Sequence, residues 1–186
     1  MSALINLRKI VSLSDDELHL IGSHFSTQKI NKNESFLKIG EVCRKVALIE
    51  KGAFVYLKVN AQGEEIAADF VFEGDWVTYY YSLLTGRPSD MEIRAMEDTL
   101  LVFVTFEDLN KLYEQIPQLE RVGRILAEQN FIIMAERTLS LQSKTAAERY
   151  EELIESKPLL LQKVPQYHIA SYLGIKPQSL SRLRRK

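Results

Sequence analysis

Near the end of the chain stand residues whose side chains can read a nucleic acid. Gln178 can form a bidentate pair with adenine and Arg182 with guanine, and Ser179 offers a hydroxyl to either. Lys176, Arg184, Arg185 and Lys186 surround them with positive charge of the kind that neutralises phosphates, adding affinity and salt dependence rather than base choice. Residues 1–144 hold 16 Lys+Arg and 21 Asp+Glu, whereas residues 145–186 hold 8 and 4. From Lys157 onward there are seven basic residues and no acidic one. A basic end on an acidic body implies contact with a polyanion, although a solvated basic tail would carry the same composition.

The elements that would position these residues follow from local spacing. Pro165 to Gly174 reads as a helix with proline in its first turn and glycine at its end. Pro177 then starts a second helix running to Lys186. Ala170 must be small where the two helices cross, Gly174 supplies the turn, and Ile175, Leu180 and Leu183 fill the angle between them. This is the pattern of a helix-turn-helix, whose second helix enters the major groove. Tyr167 and His168 read as helix-surface residues, and Tyr172 as packing between the two helices. With the second helix ending at Lys186, no β-hairpin wing is expected to follow it.

Upstream, Ser14 and Glu17 are spaced as a capping box that opens a first helix. From about Phe25 to Phe106 short β-branched and aromatic segments recur between turn signals: Glu34 to Ile39, Val46 to Glu50, Phe54 to Val59, Ile66 to Phe72 and Leu100 to Val104. Such spacing predicts a compact antiparallel barrel or sandwich. Glu107 to Glu114 reads as a short helix. Gln118 to Lys144 then reads as a long one, with Leu119, Val122, Leu126 and Ile133 on one face, widened by Ile125, Ile132 and Leu139. That face exceeds what one small roll covers, so a partner helix from a second subunit is expected on it, the alternative being a helix packed wholly within its own monomer. Thr145 and Glu148 form another capping box, and Lys157-Pro158 ends that helix. The chain divides into 1–116, 117–144 and 145–186. The fold class is α+β: an antiparallel β-roll, a long dimerisation helix and a C-terminal helix-turn-helix.

Other chemistries lack their residues. Cys43 is the only cysteine, so neither an intramolecular disulfide nor a cysteine-ligated cluster can form. His19, His24 and His168 do not cluster as metal ligands, which argues against a cupin-like metalloenzyme, and no nucleophile–base pair or phosphate-cradling glycine loop is present. No enzyme activity, cofactor or metal is expected. The N-terminus lacks a signal-peptide pattern and no run is long enough to span a bilayer, so the expected location is the cytoplasm.

Taken together, Ile39-Gly40-Glu41-Val42-Cys43 with Leu48-Ile49-Glu50-Lys51-Gly52 resembles the early strands of a cyclic-nucleotide-binding fold. Glu73-Gly74-Asp75-Trp76 and Gly86-Arg87-Pro88-Ser89 resemble the brackets of its phosphate-binding cassette. Ala170 to Ile175 with Ser179 to Arg182 is similar to the short helix-turn-helix of Bacteroidetes members of the Crp/Fnr superfamily. The resemblance implies a homodimeric transcriptional regulator on a palindromic DNA operator, with RNA polymerase as a further partner. Members that bind cyclic AMP hold the ribose with Gly-Glu and the phosphate with Arg-Ser or Arg-Thr. Here those pairs are Gly74-Asp75 and Ser89-Asp90, so a phosphate would lose its arginine and meet a carboxylate, and cyclic-nucleotide binding is not expected. Asp75, Trp76, Arg87, Ser89 and Asp90 remain a candidate pocket for another effector. The cluster Trp76, Tyr79, Tyr80 and Tyr81 reads as packing the roll against the long helix, with the lining of an apolar effector pocket as the alternative. The alternative to DNA reading is a ligand-sensing roll whose C-terminal helices contact a protein.

Overall fold

The structure, a computed structural model, describes residues 10–184. The chain opens with α1 (Asp15–His24), whose capping box is formed: Ser14 Oγ accepts from the Glu17 amide, and the Glu17 carboxylate accepts from the Ser14 amide at 2.7 Å. Eight strands follow: β1 (Ser26–Ile30), β2 (Ser35–Leu37), β3 (Lys45–Lys51), β4 (Ala53–Val59), β5 (Glu65–Phe72), β6 (Trp76–Val77), β7 (Met91–Ala95) and β8 (Thr99–Thr105), with a short α2 (Tyr80–Thr85) between β6 and β7. They form two antiparallel four-stranded sheets, ordered β1-β8-β3-β6 and β2-β7-β4-β5. This is the roll that the turn spacing predicts. Gly52 joins β3 to β4 at φ 115°, and a Cβ there would lie 2.8 Å from the Thr99 Cα, so the close approach of β8 demands glycine.

Helices α3 (Phe106–Gln115), α4 (Gln118–Ser143), α5 (Ala146–Ser156), α6 (Leu160–Lys163), α7 (Gln166–Leu173) and α8 (Pro177–Leu183) complete the chain. Among the described residues, no helix is long and apolar enough to cross a membrane.

Two cores hold these elements, and both cross the boundaries read from the sequence. The first lies inside the roll, around Ile49, Phe54, Ile93 and Leu101, and extends to Leu112 and Ile116 of the α3 segment and to Leu119 and Val122 of α4. At Gly123 a Cβ would stand 2.4 Å from the Tyr113 hydroxyl, so α4 crosses α3 closely there. Leu119 and Val122, expected on a dimer interface, are therefore interior residues of this chain, and Leu126 packs half-buried on the same core. Ile133, by contrast, is exposed. The second core lies on the outer face of the other sheet. Val55 and Leu57 of β4 and Ala67, Phe70 and Phe72 of β5 pack with Tyr150, Leu153, Leu160, Ile169, Ala170, Leu173 and Leu180 of the C-terminal helices. Thus β4 is apolar on both faces because each face has a core: Phe54 looks into the roll, and Val55 and Leu57 look at the helices.

Candidate nucleic-acid interface

α7 and α8 are joined by a tight turn at Gly174, in the region read from sequence as a helix-turn-helix. Gly174 caps α7 in the left-handed conformation at φ 68°, with its N–H shared between the Ala170 and Ser171 carbonyls. The Ile175 amide donates to the Ala170 carbonyl at 3.0 Å, closing the Schellman-type turn that glycine makes accessible. Ala170 is fully buried, as a close crossing requires. Pro177 occupies the first turn of α8, where a missing N–H costs nothing. Leu180 is fully buried, with Ile175 and Leu183 half-buried around it.

The opposite face of α8 is bare. Gln178, Ser179 and Arg182 are exposed, and at 3.6 residues per turn they fall within about 100° of arc, with Leu180 on the far side. Lys176 and Arg184 are exposed beside them, and none of these five side chains has a partner among the described residues. Arg185 and Lys186 lie outside the described residues.

Two basic residues of the tail have different work. Lys157 donates to the Phe70 carbonyl and pairs with Asp69 at 3.1 Å, and Lys163 pairs with Glu97 at 2.6 Å. Both partners belong to the roll. Ser171 Oγ accepts from the Ala67 amide at 3.1 Å, and Arg137 of α4 donates to the Ala68 carbonyl. Tyr172, read from sequence as packing between the two helices, instead sets its ring 5.4 Å from that of Phe70 and under the Arg137 guanidinium. His168, read as a surface residue, is 6% exposed and stacks on Tyr167 at 4.1 Å. Both corrections have one cause: α7 is covered by β5, a neighbour that its own periodicity cannot reveal. Burial, the largest influence on His168, holds its imidazole below the usual range; Glu65 opposes this and Arg94 reinforces it.

The five residues expected to line an effector pocket serve separate local purposes. Asp75 accepts from the Phe72 amide at 2.8 Å and closes the turn before β6. Trp76 packs half-buried on the roll core, and exposed Arg87 donates to the Tyr81 hydroxyl at 3.2 Å. Ser89 is 3% exposed, its hydroxyl donating to the Met91 carbonyl and accepting from the Met91 amide. Asp90 pairs with Lys58 at 2.8 Å and accepts from the Tyr79 hydroxyl at 2.7 Å, contacts that hold its carboxyl below the usual range, the Lys58 bond foremost. The residues leading into α2 are Thr78 and Tyr79, whereas Gly74-Asp75 precede β6. Inside the roll the Tyr56 phenol donates to the Thr78 carbonyl at 2.8 Å, and burial raises its pKa. Trp76, Tyr79 and Tyr80 pack on the roll core, whereas Tyr81 is half exposed.

Residues 27–116 match the cyclic nucleotide-binding domain family. A comparison by sequence with curated proteins finds no match. Among solved structures the chain is similar to FixK2 from Bradyrhizobium japonicum (TM-score 0.74, 20% identity, covering 87% of this chain and 83% of that one). It is also similar to the catabolite activator protein of Thermus thermophilus (TM-score 0.59, 20% identity, 96% and 84% covered) and to a Crp/Fnr-family regulator structure from Eubacterium rectale (TM-score 0.65, 18% identity, 93% and 82% covered). Residues 27–116 thus match the cyclic nucleotide-binding domain family, and the chain as a whole shares the fold of these regulator structures.

Proposed function

We propose that this chain is a DNA-binding transcriptional regulator of the Crp/Fnr type, acting in the cytoplasm as a homodimer on a palindromic operator, with a roll that does not use a cyclic nucleotide. The observation that carries the reading is the bare face of α8: Gln178, Ser179 and Arg182 stand together, unpartnered, beside Lys176 and Arg184. Donors and acceptors of these types match base edges in the major groove, and the flanking cations match phosphates.

The dimer is supported by the second half of α4. Phe131 is 73% exposed and Met134 64%, with Ile132 and Ile133 between them and Leu139 and Leu141 further along. Four consecutive large apolar residues span about 300° of a helix, and a helix apolar on all sides is one that becomes buried. A second copy of α4 supplies that cover. The proposed loss of nucleotide binding is supported by Asp90, which sets a carboxylate where an anion would otherwise approach Lys58 and Tyr79.

Selection of bound sequences from a random duplex library tests the reading. The expected result is a two-fold symmetric site whose affinity falls steeply with salt, each neutralised phosphate contributing about 0.9 to the slope of log K against log salt. Absence of any DNA complex at low salt would overturn it and leave a protein partner for α7 and α8. Thermal melts with cyclic AMP and cyclic GMP are expected to show no shift, and stabilisation by several degrees would refute the proposed loss.

A further inference from the structure

The junction between the long helix and the helix-turn-helix is organised around one guanidinium. Arg149 lies in the first turn of α5, its backbone N–H donating to the Thr145 carbonyl. Nη1 donates at 2.6 Å to the carbonyl of Lys144, the residue that caps the C-terminus of α4. Nη2 donates at 2.9 Å to the carbonyl of Leu173, the last residue of α7 before the Gly174 turn. Carbonyls at helix ends lack intrahelical partners, so two helix termini are finished by one side chain. The arginine fork is planar and rigid, which fixes the two carbonyls relative to each other as a lysine could not. Among the described residues Nε is buried without a hydrogen-bond partner, which costs free energy that the two carbonyl bonds offset.

A second clamp faces it. Glu152, three residues along α5, accepts from Ser140 Oγ at 3.3 Å and from the Lys144 ammonium. The end of α4, the start of α5 and the turn of the helix-turn-helix therefore form one braced unit. α8 leaves directly from that turn and is seated by Leu180, so the brace governs its direction relative to α4.

We propose that Arg149 is a positioning residue that sets the orientation of α8 against the long helix, and so fixes the one half-site spacing that a symmetric dimer accepts. The proposal rests on the DNA-reading dimer of the preceding section. Half-sites bound by paired recognition helices are separated by about one helical turn, roughly 34–36 Å, so a recognition helix free to swing no longer selects one separation.

The experiment uses the full chain, Arg149→Gln and Arg149→Lys, on duplexes in which the selected half-sites are moved apart or together by one base pair. The wild type is expected to lose at least about tenfold in affinity off its preferred spacing, the scale of a mismatched contact. Arg149→Gln is expected to flatten that profile while keeping the same half-site bases, and Arg149→Lys, which reaches one carbonyl, to fall between. An equal loss at every spacing, or an unchanged profile, would overturn the proposal. Spin labels at Glu128→Cys and Ser179→Cys, diluted with unlabelled protein, read the same angle without DNA. A narrow distance distribution that broadens in both Arg149 variants is expected, and an unchanged one overturns the role. If the wild type selects no two-fold site, the DNA reading fails, and the label distances still decide Arg149. If Arg149→Gln does not fold, the lysine variant carries both measurements.

Discussion

Phe70 tests whether the roll and the C-terminal helices share a core. Its ring is fully buried on the outer face of β5, against Tyr172 of α7, in the cluster that contains Leu160, Ile169 and Leu180. With the helices docked on the sheet, Phe70→Ala opens a cavity in a packed interior, and such truncations cost about 3–5 kcal/mol. If the helices instead stood away from the sheet, Phe70 would lie on an open face and its truncation would cost within about 0.5 kcal/mol. The two cases differ by several kcal/mol, more than a denaturation curve needs to separate them. Trp76, the single tryptophan, reports the roll by fluorescence, and far-ultraviolet circular dichroism reports mainly the helices. In urea the wild type is expected to unfold with coincident transitions in both signals, and Phe70→Ala to lower both midpoints together. Two separated wild-type transitions, or a variant whose tryptophan midpoint does not move, would refute the shared core.

Three further outcomes follow from particular side chains. Arg182→Ala should cost about 1–3 kcal/mol on the selected operator and relax preference at one base position, measured by fluorescence anisotropy; an equal loss on every duplex would make Arg182 a phosphate contact only. Because burial depresses the His168 pKa, the unfolded chain takes up a proton below about pH 6.5 that the folded chain refuses, so this residue's contribution to stability falls as pH drops through that value. Urea midpoints at pH 7.5 and pH 5.5 should therefore diverge less in His168→Gln than in the wild type, and equal divergence would refute the assignment. Leu139→Asp and Ile132→Asp should yield monomers in sedimentation equilibrium, whereas dimers surviving both changes would remove α4 from the interface. Leu126→Asp is a poorer test, since Leu126 packs on its own roll and a carboxylate there would also disturb the fold.

What was legible in the sequence was locally encoded. Ser14 with Glu17 and Thr145 with Glu148 announce helix starts because each pair satisfies its own backbone, and both boxes are formed. Gly174 announces the turn because few residues tolerate its φ. β7 was not legible because Glu92 and Arg94 interrupt its apolar character. Their reason is non-local: Arg94 binds Glu65 on β5, and Glu92 accepts from Ser35 on β2. β6 is two residues long and sets no period. The Gly74-Asp75 pair is ambiguous in sequence because a glycine followed by a carboxylate also makes a good turn, and here Asp75 accepts from the Phe72 amide. The docking of α7 was hidden for a related reason. Val55 and Leu57 mark an apolar strand face, and nothing within β4 names the helix that covers them.

The charge asymmetry of the chain then has two causes rather than one. Five of the basic residues from Lys157 onward are described, and two of them, Lys157 and Lys163, are held by Asp69 and Glu97 of the acidic roll. These half-buried pairs orient the helices on the sheet, and salt screens them less than it screens exposed charges. Lys176, Arg182 and Arg184 have no such partner. A salt dependence inferred from the whole basic tail would therefore overcount the phosphates neutralised, because part of that charge is already satisfied inside the protein. Acidity in the body and basicity in the tail fasten the C-terminal helices to the roll, and the cations left over face outward beside Gln178 and Ser179.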